Sequence, residues 1–456
     1  MSTAPLIDGY APGALLGLHA DGAWTAAEFL GRVGALASRL PGSAAGGFGL
    51  LLCEDRLGFA LGLAASLWRR ATVLLPPSHA PGALADLVRA RRPRFALVDR
   101  EGTIEGVEEI VVWPAIEAGE AVSDIPTVSL DHVAAIVYTS GTTGEPQPHA
   151  KTWGSLVRGA AALRTRIGFA RGDSLVGAVP PQHMWGLEAS VMLPLQSGGS
   201  IHPATPLLPQ DIAAALRALE APRWLVLTPL HARGCVQAGT DFPALAGVLS
   251  ATAPLDQGLA AAFERLGRAP LIEIYGSSET GAIATRRPAV DERFTPLDGI
   301  TMVAADNGFV VQGGHVDDPV AMRDQVAIDA DHGFAWIGRD TDLVKVAGKR
   351  GSLAMLNRAL RDIAGVHDGE FVVTAQGGMA QRLAALVVAP GLDRGAILNA
   401  LRMRVDPVFL PRPLCFVAAL PRDALGKVSA EALRRLVAEA VIASQIAKGK
   451  DERGGQ

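Results

Sequence analysis

Cysteine is scarce in this chain: Cys53, Cys235 and Cys415 are the only three in 456 residues, and they lie far apart. An odd, sparse set builds no disulfide framework, and without a CxxC pair no thiolate zinc site is expected. A reducing, cytoplasmic setting fits that usage. Neither sign of charge dominates, since 42 Lys and Arg face 46 Asp and Glu for a net charge of −4. With a pI near 6.2, no global basic field exists to hold nucleic acid or an anionic membrane surface. Long hydrophobic runs are missing too. The best spanning candidate, residues 57–68, ends at Arg69-Arg70 and falls short of the ~20 apolar residues a transmembrane helix needs. Residues 176–210 are longer and nearly uncharged, but Pro180, Pro181, Gln182, His183, Glu188 and Pro194 break them. The start, Met1-Ser-Thr-Ala-Pro-Leu-Ile-Asp8, has no basic segment followed by an apolar one, so no signal peptide is expected. The expectation is a soluble chain with no membrane insertion and no nucleic-acid partner.

What is abundant is apolar sequence, 49% of the chain, interrupted by 51 glycines and 30 prolines. Their spread along the chain points to many turns rather than to one disordered tract. From about residue 15 to 130, short apolar runs such as Phe48-Gly-Leu-Leu-Leu-Cys53, Ala71-Thr-Val-Leu-Leu75 and Phe95-Ala-Leu-Val98 alternate with helical stretches. Buried parallel strands with crossover helices read this way. The pattern recurs, with strands expected at 132–138, 224–228 and 271–274 and helices at 211–220 and 255–266. The fold class is therefore α/β: a large multi-layer N-terminal domain with parallel sheets, over residues 1–338. A charged, Gly-punctuated segment follows, Gly338-Arg-Asp-Thr-Asp-Leu-Val-Lys-Val-Ala-Gly-Lys-Arg350. It opens a small α+β domain over 339–446, expected to be joined by a hinge, and residues 447–456 read as a frayed polar tail.

The sharpest chemical signal is Val137-Tyr-Thr-Ser-Gly-Thr-Thr-Gly-Glu-Pro-Gln-Pro148, between an expected strand and helix. Thr139, Ser140, Gly141, Thr142, Thr143 and Gly144 put four hydroxyls and two glycines in six residues. Exposed N–H groups and hydroxyls suit phosphate oxygens, and glycine lets the backbone approach closely. An ordinary Ser/Thr/Gly turn has the same composition. A Walker A loop is excluded, because GxxxxGK[ST] is not present.

The order of letters resembles the phosphate loop of the adenylate-forming superfamily, which includes acyl-CoA synthetases, aryl-CoA ligases and the adenylation domains of peptide synthetases. Four further segments agree in order: Val179-Pro-Pro-Gln-His-Met-Trp-Gly186, Tyr275-Gly-Ser-Ser-Glu-Thr280, Asp324 with Arg339 fifteen residues on, and Pro421-Arg-Asp-Ala-Leu-Gly-Lys427. Together they span 137 to 427. The resemblance implies ATP-dependent activation of a small carboxylic acid as acyl-AMP, with Mg²⁺. Transfer to a thiol follows, either coenzyme A or the phosphopantetheine arm of an acyl carrier protein.

Residue by residue, the resemblance makes Lys427 the catalytic lysine that bridges substrate carboxylate and α-phosphate. It assigns the loop Thr139–Gly144 to the β- and γ-phosphates and Glu279 to Mg²⁺. Tyr275, Gly276 and Ser278 line the adenine side, while Asp324 and Arg339 serve the ribose and the hinge. Ser250-Ala-Thr-Ala-Pro-Leu255 resembles a further segment on the adenine side. His183, Trp185 and Gly281 border the acyl pocket, with Ala282 at its floor, and His183 counts with Lys427 and Lys345 among the catalytic residues the resemblance implies. Lys345 and Gly348 fall in the segment used for thioester formation, after a swing of the small domain. A crowded, anionic transition state needs positioning and positive charge, which suits these residue types.

Some positions depart from the pattern. Pro146-Gln147-Pro148 stands where the family has Pro-Lys-Gly, so the loop lysine is missing; Lys151 lies four residues on, and spacing alone does not decide whether it takes over. Asp324 lacks a preceding Thr-Gly, Thr341 stands where Asp or Lys is usual, and residues 308–324 are short for the family. Two other functional readings follow: a non-catalytic nucleotide-binding homologue, and an adenylate-forming enzyme whose acceptor is not a thiol.

Overall fold

The computed structural model describes residues 2–19, 22–42, 46–102, 104–113, 124–139, 146–305, 308–329, 331–339, 343–346, 349–374, 382–422, 428–429 and 431–440. The chain forms two compact units, Met1–Met302 with Val311–Val320, and Val303–Val310 with Ala321–Gln456.

The first unit is built on two large sheets. One has six strands in the order Gln147–Thr152, Val133–Thr139, Thr72–Leu75, Phe48–Leu51, Phe95–Val98 and Glu108–Val111. All its pairings are parallel except the first, where Gln147–Thr152 folds back on Val133–Thr139. The other has nine strands: Thr295–Pro296, Gly281–Arg286, Leu271–Ser277, Gly247–Ser250, Arg223–Leu227, Ser174–Gly177, Ser200–Ile201, Leu15–His19 and Gly22–Thr25. Its middle is parallel, and both edges are antiparallel. The expected parallel architecture thus describes the sheet interiors, where strands such as Phe95–Val98 and Arg223–Leu227 are almost wholly buried. Leu15–His19 departs from simple order: it crosses to the second sheet and pairs beside Ser200–Ile201.

The apolar segment near residue 60 is helix Arg56–Trp68, capped by Asp55 on the Gly58 N–H and buried over nearly its whole length. A helix apolar on every side belongs inside a core; its leucines share one cluster with strand residues of both sheets, among them Leu51, Val73, Ala135, Leu16 and Ile201. Arg56 is fully buried. Its guanidinium donates to Ser190 Oγ (2.9 Å) and to the carbonyls of Val179 (2.5 Å) and Ala204 (2.9 Å), so it ties down the segment that leads to His183. Among the described residues no helix is long and apolar enough to cross a membrane. The three cysteines are buried and free.

Helix Pro229–Ala238 carries a titratable cap. His231 Nδ1 lies 3.3 Å from the Thr228 N–H and accepts from it, so the ring is neutral; it is 5% exposed. Burial pulls its pKa down to about 4, whereas an unfolded histidine titrates near ~6.5. Between those values the unfolded chain binds the extra proton. Stability is therefore complete above about pH 6.5 and falls as pH drops toward about 4, by roughly 3 kcal/mol. Thermal midpoints between pH 7.5 and 4.5 check this: the wild type should decline from about pH 6.5 and His231→Gln less steeply. Parallel curves would exclude the assignment.

The second unit contains the antiparallel hairpins Asp324–Ile328/Phe334–Arg339 and Leu343–Val346/Lys349–Ser352. Beyond them Arg382–Val388 lies between antiparallel Asp368–Thr374 and parallel Leu414–Phe416. Helices Leu353–Arg361 and Arg394–Arg402 supply Leu356, Leu360, Ile397 and Leu401 to one core with Phe371, Leu383 and Ala385. A further helix covers 431–440, and its Leu433 and Val437 pack with Val372, Ala384 and Leu386.

Candidate active site

Open α/β sheets bind ligands at the carboxyl ends of their strands, and here such ends from both sheets meet. Val133–Thr139 ends at the hydroxyl-rich loop, and Leu271–Ser277 ends at the Ser278-Glu279 turn. His149, on the strand that folds back from that loop, joins them: its Nε2 lies 3.1 Å from Thr139 Oγ1 and 3.9 Å from Glu279 Oε1. Thr139 and Glu279, distant in sequence, thereby share one partner.

The turn after Tyr275 is closed by its own chemistry. A Cβ at Gly276 would stand 2.0 Å from the Gly281 carbonyl oxygen, and Gly281 holds φ +74°, so glycine is required at both ends. Ser277 and Thr280 exchange backbone-to-hydroxyl bonds of 3.2 and 3.3 Å. Burial acts to raise the Glu279 carboxyl, but the Ser277 hydroxyl, its own backbone and nearby His149 and Lys151 outweigh it and leave it below the usual range. Its side chain is 48% exposed. A half-exposed, ionised carboxylate that shares His149 with Thr139 fits Mg²⁺, which takes one or two carboxylates together with water and substrate phosphates.

Behind the turn lie three buried ionisable groups. Lys151 is pulled down to about 8 by burial, against the opposing pull of Glu188, Glu279 and Asp317. Glu188 is pushed up to about 7 by burial, and the Ala282 N–H and Lys151 oppose that rise. His315 is lowered to about 4 by burial. In the sequence Lys151 is open on spacing, Glu188 reads only as a break in an apolar stretch, and His315, like His149 in front of the turn, carries no signal.

Tyr275 is half-buried, with Phe294 tilted against its ring at 5.3 Å. Ser278 sits half-buried in the turn. His183 precedes the short helix Met184–Leu187 and is half-buried. Trp185 is 8% exposed and its indole N–H donates to the Leu227 carbonyl at 3.2 Å. Met184 Cε would lie 3.3 Å from a Cβ at Gly281, so the histidine motif and the tyrosine motif abut. Gly186 could carry no side chain, since a Cβ there would fall 1.9 Å from the Pro180 carbonyl.

Within the second unit, Asp324 is paired opposite Arg339 in the hairpin ladder, is 7% exposed, and accepts from the Trp336 indole at 3.2 Å. Lys345 occupies the strand Leu343–Val346 opposite Arg350. Arg422 donates to both Asp368 oxygens, at 2.9 and 2.7 Å, and pairs in an isolated bridge with Val428. Ser140, Gly141, Thr142, Thr143, Gly144, Thr341, Gly348, Lys427 and the tail 447–456 lie outside the described residues, as do the side chains of Arg339 and Lys345.

A nucleotide-handling α/β enzyme is the class that these strand-end motifs define. The AMP-binding enzyme family matches residues 13–311, and the chain belongs to that family, within the adenylate-forming superfamily. A 4-coumarate–CoA ligase of Rhodobacter capsulatus is 30% identical over 310 residues, covering 67% of this chain and 77% of that protein. A probable 2-succinylbenzoate–CoA ligase of Mycobacterium tuberculosis is 28% identical over 362 residues, covering 72% and 88%. Among solved structures, ATP-bound MatB from Rhodopseudomonas palustris aligns with a TM-score of 0.81 at 20% identity, over 93% of this chain and 96% of that one. The o-succinylbenzoate CoA synthetase MenE of Bacillus subtilis, with its acyl-adenylate intermediate, aligns at 0.78 and 17% identity, over 94% and 97%. These two share its fold.

Proposed function

We propose that this protein is an AMP-forming acid–thiol ligase. A carboxylate oxygen attacks the α-phosphorus of ATP, forming the acyl–phosphate bond while the bond to the β-phosphate oxygen breaks and pyrophosphate leaves. A thiol sulfur then attacks the acyl carbonyl, its proton passing to solvent, and AMP departs as the thioester forms. The observation that carries this reading is the meeting of Thr139 and Glu279 around His149, because it brings the first hydroxyl of the phosphate-suited motif to an ionised carboxylate.

In this reading the loop Thr139–Gly144 holds the β- and γ-phosphates, and Glu279 would hold Mg²⁺, which when bound would supply charge neutralisation for the phosphates. Tyr275 stacks on adenine beside Gly276 and Ser278, and Asp324 with Arg339 serves the ribose. His183, Trp185 and Gly281 shape the acyl site. Lys427 bridges the reacting carboxylate and the α-phosphate. After the C-terminal domain swings, Lys345 and Gly348 admit the thiol arm. Coenzyme A is the acceptor favoured by the named relatives, which are CoA ligases; a phosphopantetheinyl carrier protein presents the same thiol and is the second candidate. The expected compartment is the cytoplasm.

ATP–pyrophosphate exchange across a panel of carboxylic acids, with 4-coumarate and 2-succinylbenzoate among them, tests the reading. Exchange that depends on at least one acid is expected. No exchange with any acid, despite ATP binding, would instead make the chain a nucleotide-binding homologue. Trapping the product with coenzyme A or with carrier protein then identifies the acceptor.

A further inference from the structure

Three buried side chains from three separate elements converge on the backbone of residues 279–282. Lys151, on the strand Gln147–Thr152, donates its ammonium to the Glu279 carbonyl at 2.5 Å. His315 places Nε2 3.1 Å from the Thr280 carbonyl. Glu188, at the start of the π-helical turn Glu188–Met192, accepts the Ala282 N–H through Oε2 at 2.8 Å. Lys151 is 6%, Glu188 3% and His315 4% exposed. Space for them depends on missing side chains: a Cβ at Gly159 would lie 3.0 Å from Glu188 Oε1 and 3.4 Å from the His315 ring, and one at Gly281 would lie 3.0 Å from Glu188 Oε1.

Apolar packing is non-directional and would fix only the general place of this turn. Hydrogen bonds are directional, and strongest where one partner is charged, as at Lys151; three of them from buried side chains on consecutive peptide units fix the rotation of the backbone. The Glu279 side chain, which leaves that backbone toward solvent, inherits its direction from them.

We propose that Lys151, Glu188 and His315 are positioning residues that orient the Glu279 carboxylate toward the cation of bound ATP, with Lys151 the principal one. This rests on Glu279 as the metal-facing carboxylate, but not on turnover. The test measures ATP dissociation constants of the full chain by calorimetry, with Mg²⁺ and with EDTA, for wild type, Glu279→Gln, Lys151→Met, Lys151→Arg and the double variant Glu279→Gln/Lys151→Met. Losing a charged hydrogen bond of this kind should cut the Mg²⁺-dependent gain in ATP affinity about ten-fold in Lys151→Met, leaving affinity in EDTA unchanged. Lys151→Arg, which keeps the charge, should recover part of the gain, and Lys151→Met should add nothing once Glu279 is Gln. Should Lys151→Met not fold, an intermediate loss in Lys151→Arg confined to the Mg²⁺ series would support the proposal in its place, and an undiminished gain in Lys151→Arg would overturn it. Equal losses with and without Mg²⁺, an undiminished gain in Lys151→Met, or an undiminished gain in Glu279→Gln would each overturn it as well. Acid-dependent exchange is a separate measurement, so failure of the ligase reading would show there and not here.

Discussion

Lys427→Ala will abolish acid-dependent ATP–pyrophosphate exchange, whereas Lys345→Ala will leave exchange intact and slow thioester formation. The two half-reactions place charge at different atoms. Adenylation crowds negative charge onto the oxygens around the α-phosphorus, so a positioned ammonium stabilises its transition state more than its ground state. Removing one such donor typically costs a factor of about 10²–10³. Thioester formation needs the thiol arm delivered to a finished acyl-adenylate, and under the proposed assignment the charge at Lys427 has no part in that delivery. The ends of the Lys427 segment are anchored: Arg422 is held by both oxygens of Asp368 and paired with Val428. Exchange assays and single-turnover thioester formation from preformed acyl-adenylate separate the effects. Equal loss of both activities in both variants would contradict the division of labour.

Much of the site was legible because its letters are local. Thr139 and the residues after it, Tyr275 with Glu279, and the Val179 to Gly186 segment each carry their signal within a few positions, and glycines such as Gly186 and Gly276 are fixed by backbone contacts a few residues away. What supports those segments was not legible. His149, Glu188 and His315 touch residues far off in sequence: Glu279, Ala282 and Thr280. A buried glutamate looks, as a letter, like an exposed one, so Glu188 read only as an interruption of apolar sequence.

The fold divides in the same way. Strands buried on both faces read as continuous apolar runs, and Phe95–Val98 and Arg223–Leu227 were therefore visible. Gln147–Thr152 is polar and lies at a sheet edge, so its pattern gave no strand signal. The pairing of Leu15–His19 with Ser200–Ile201 is set by the packing of helix Arg56–Trp68 in the common core, which no short window contains. Lys151 lay between the two cases: its nearness to the loop was plain, but its bond to the Glu279 carbonyl depends on two sheets meeting.

The largest loss of stability should come from Glu273→Ala. Glu273 and Arg286 pair at 2.6 Å with side chains only 5% and 11% exposed, and the other Glu273 oxygen accepts the Leu255 N–H at 3.0 Å. Arginine keeps its proton under any ordinary condition, so deleting the carboxylate leaves a buried, uncompensated cation, a loss of about 3–5 kcal/mol. The reverse deletion is milder. In Arg286→Ala the buried carboxyl can take up a proton and become neutral, and the cost falls to about 1–3 kcal/mol. That milder variant reports on function. Arg286 lies 4.4 Å over the Phe294 ring, and Phe294 packs against Tyr275 at 5.3 Å, so freeing Phe294 loosens the tyrosine assigned to adenine. Arg286→Ala should therefore raise the KM for ATP several-fold while kcat changes little. Urea unfolding and exchange kinetics test both halves: equal destabilisation by the two variants would refute the charge asymmetry, and an unchanged KM for ATP would detach the Arg286–Phe294–Tyr275 stack from nucleotide binding.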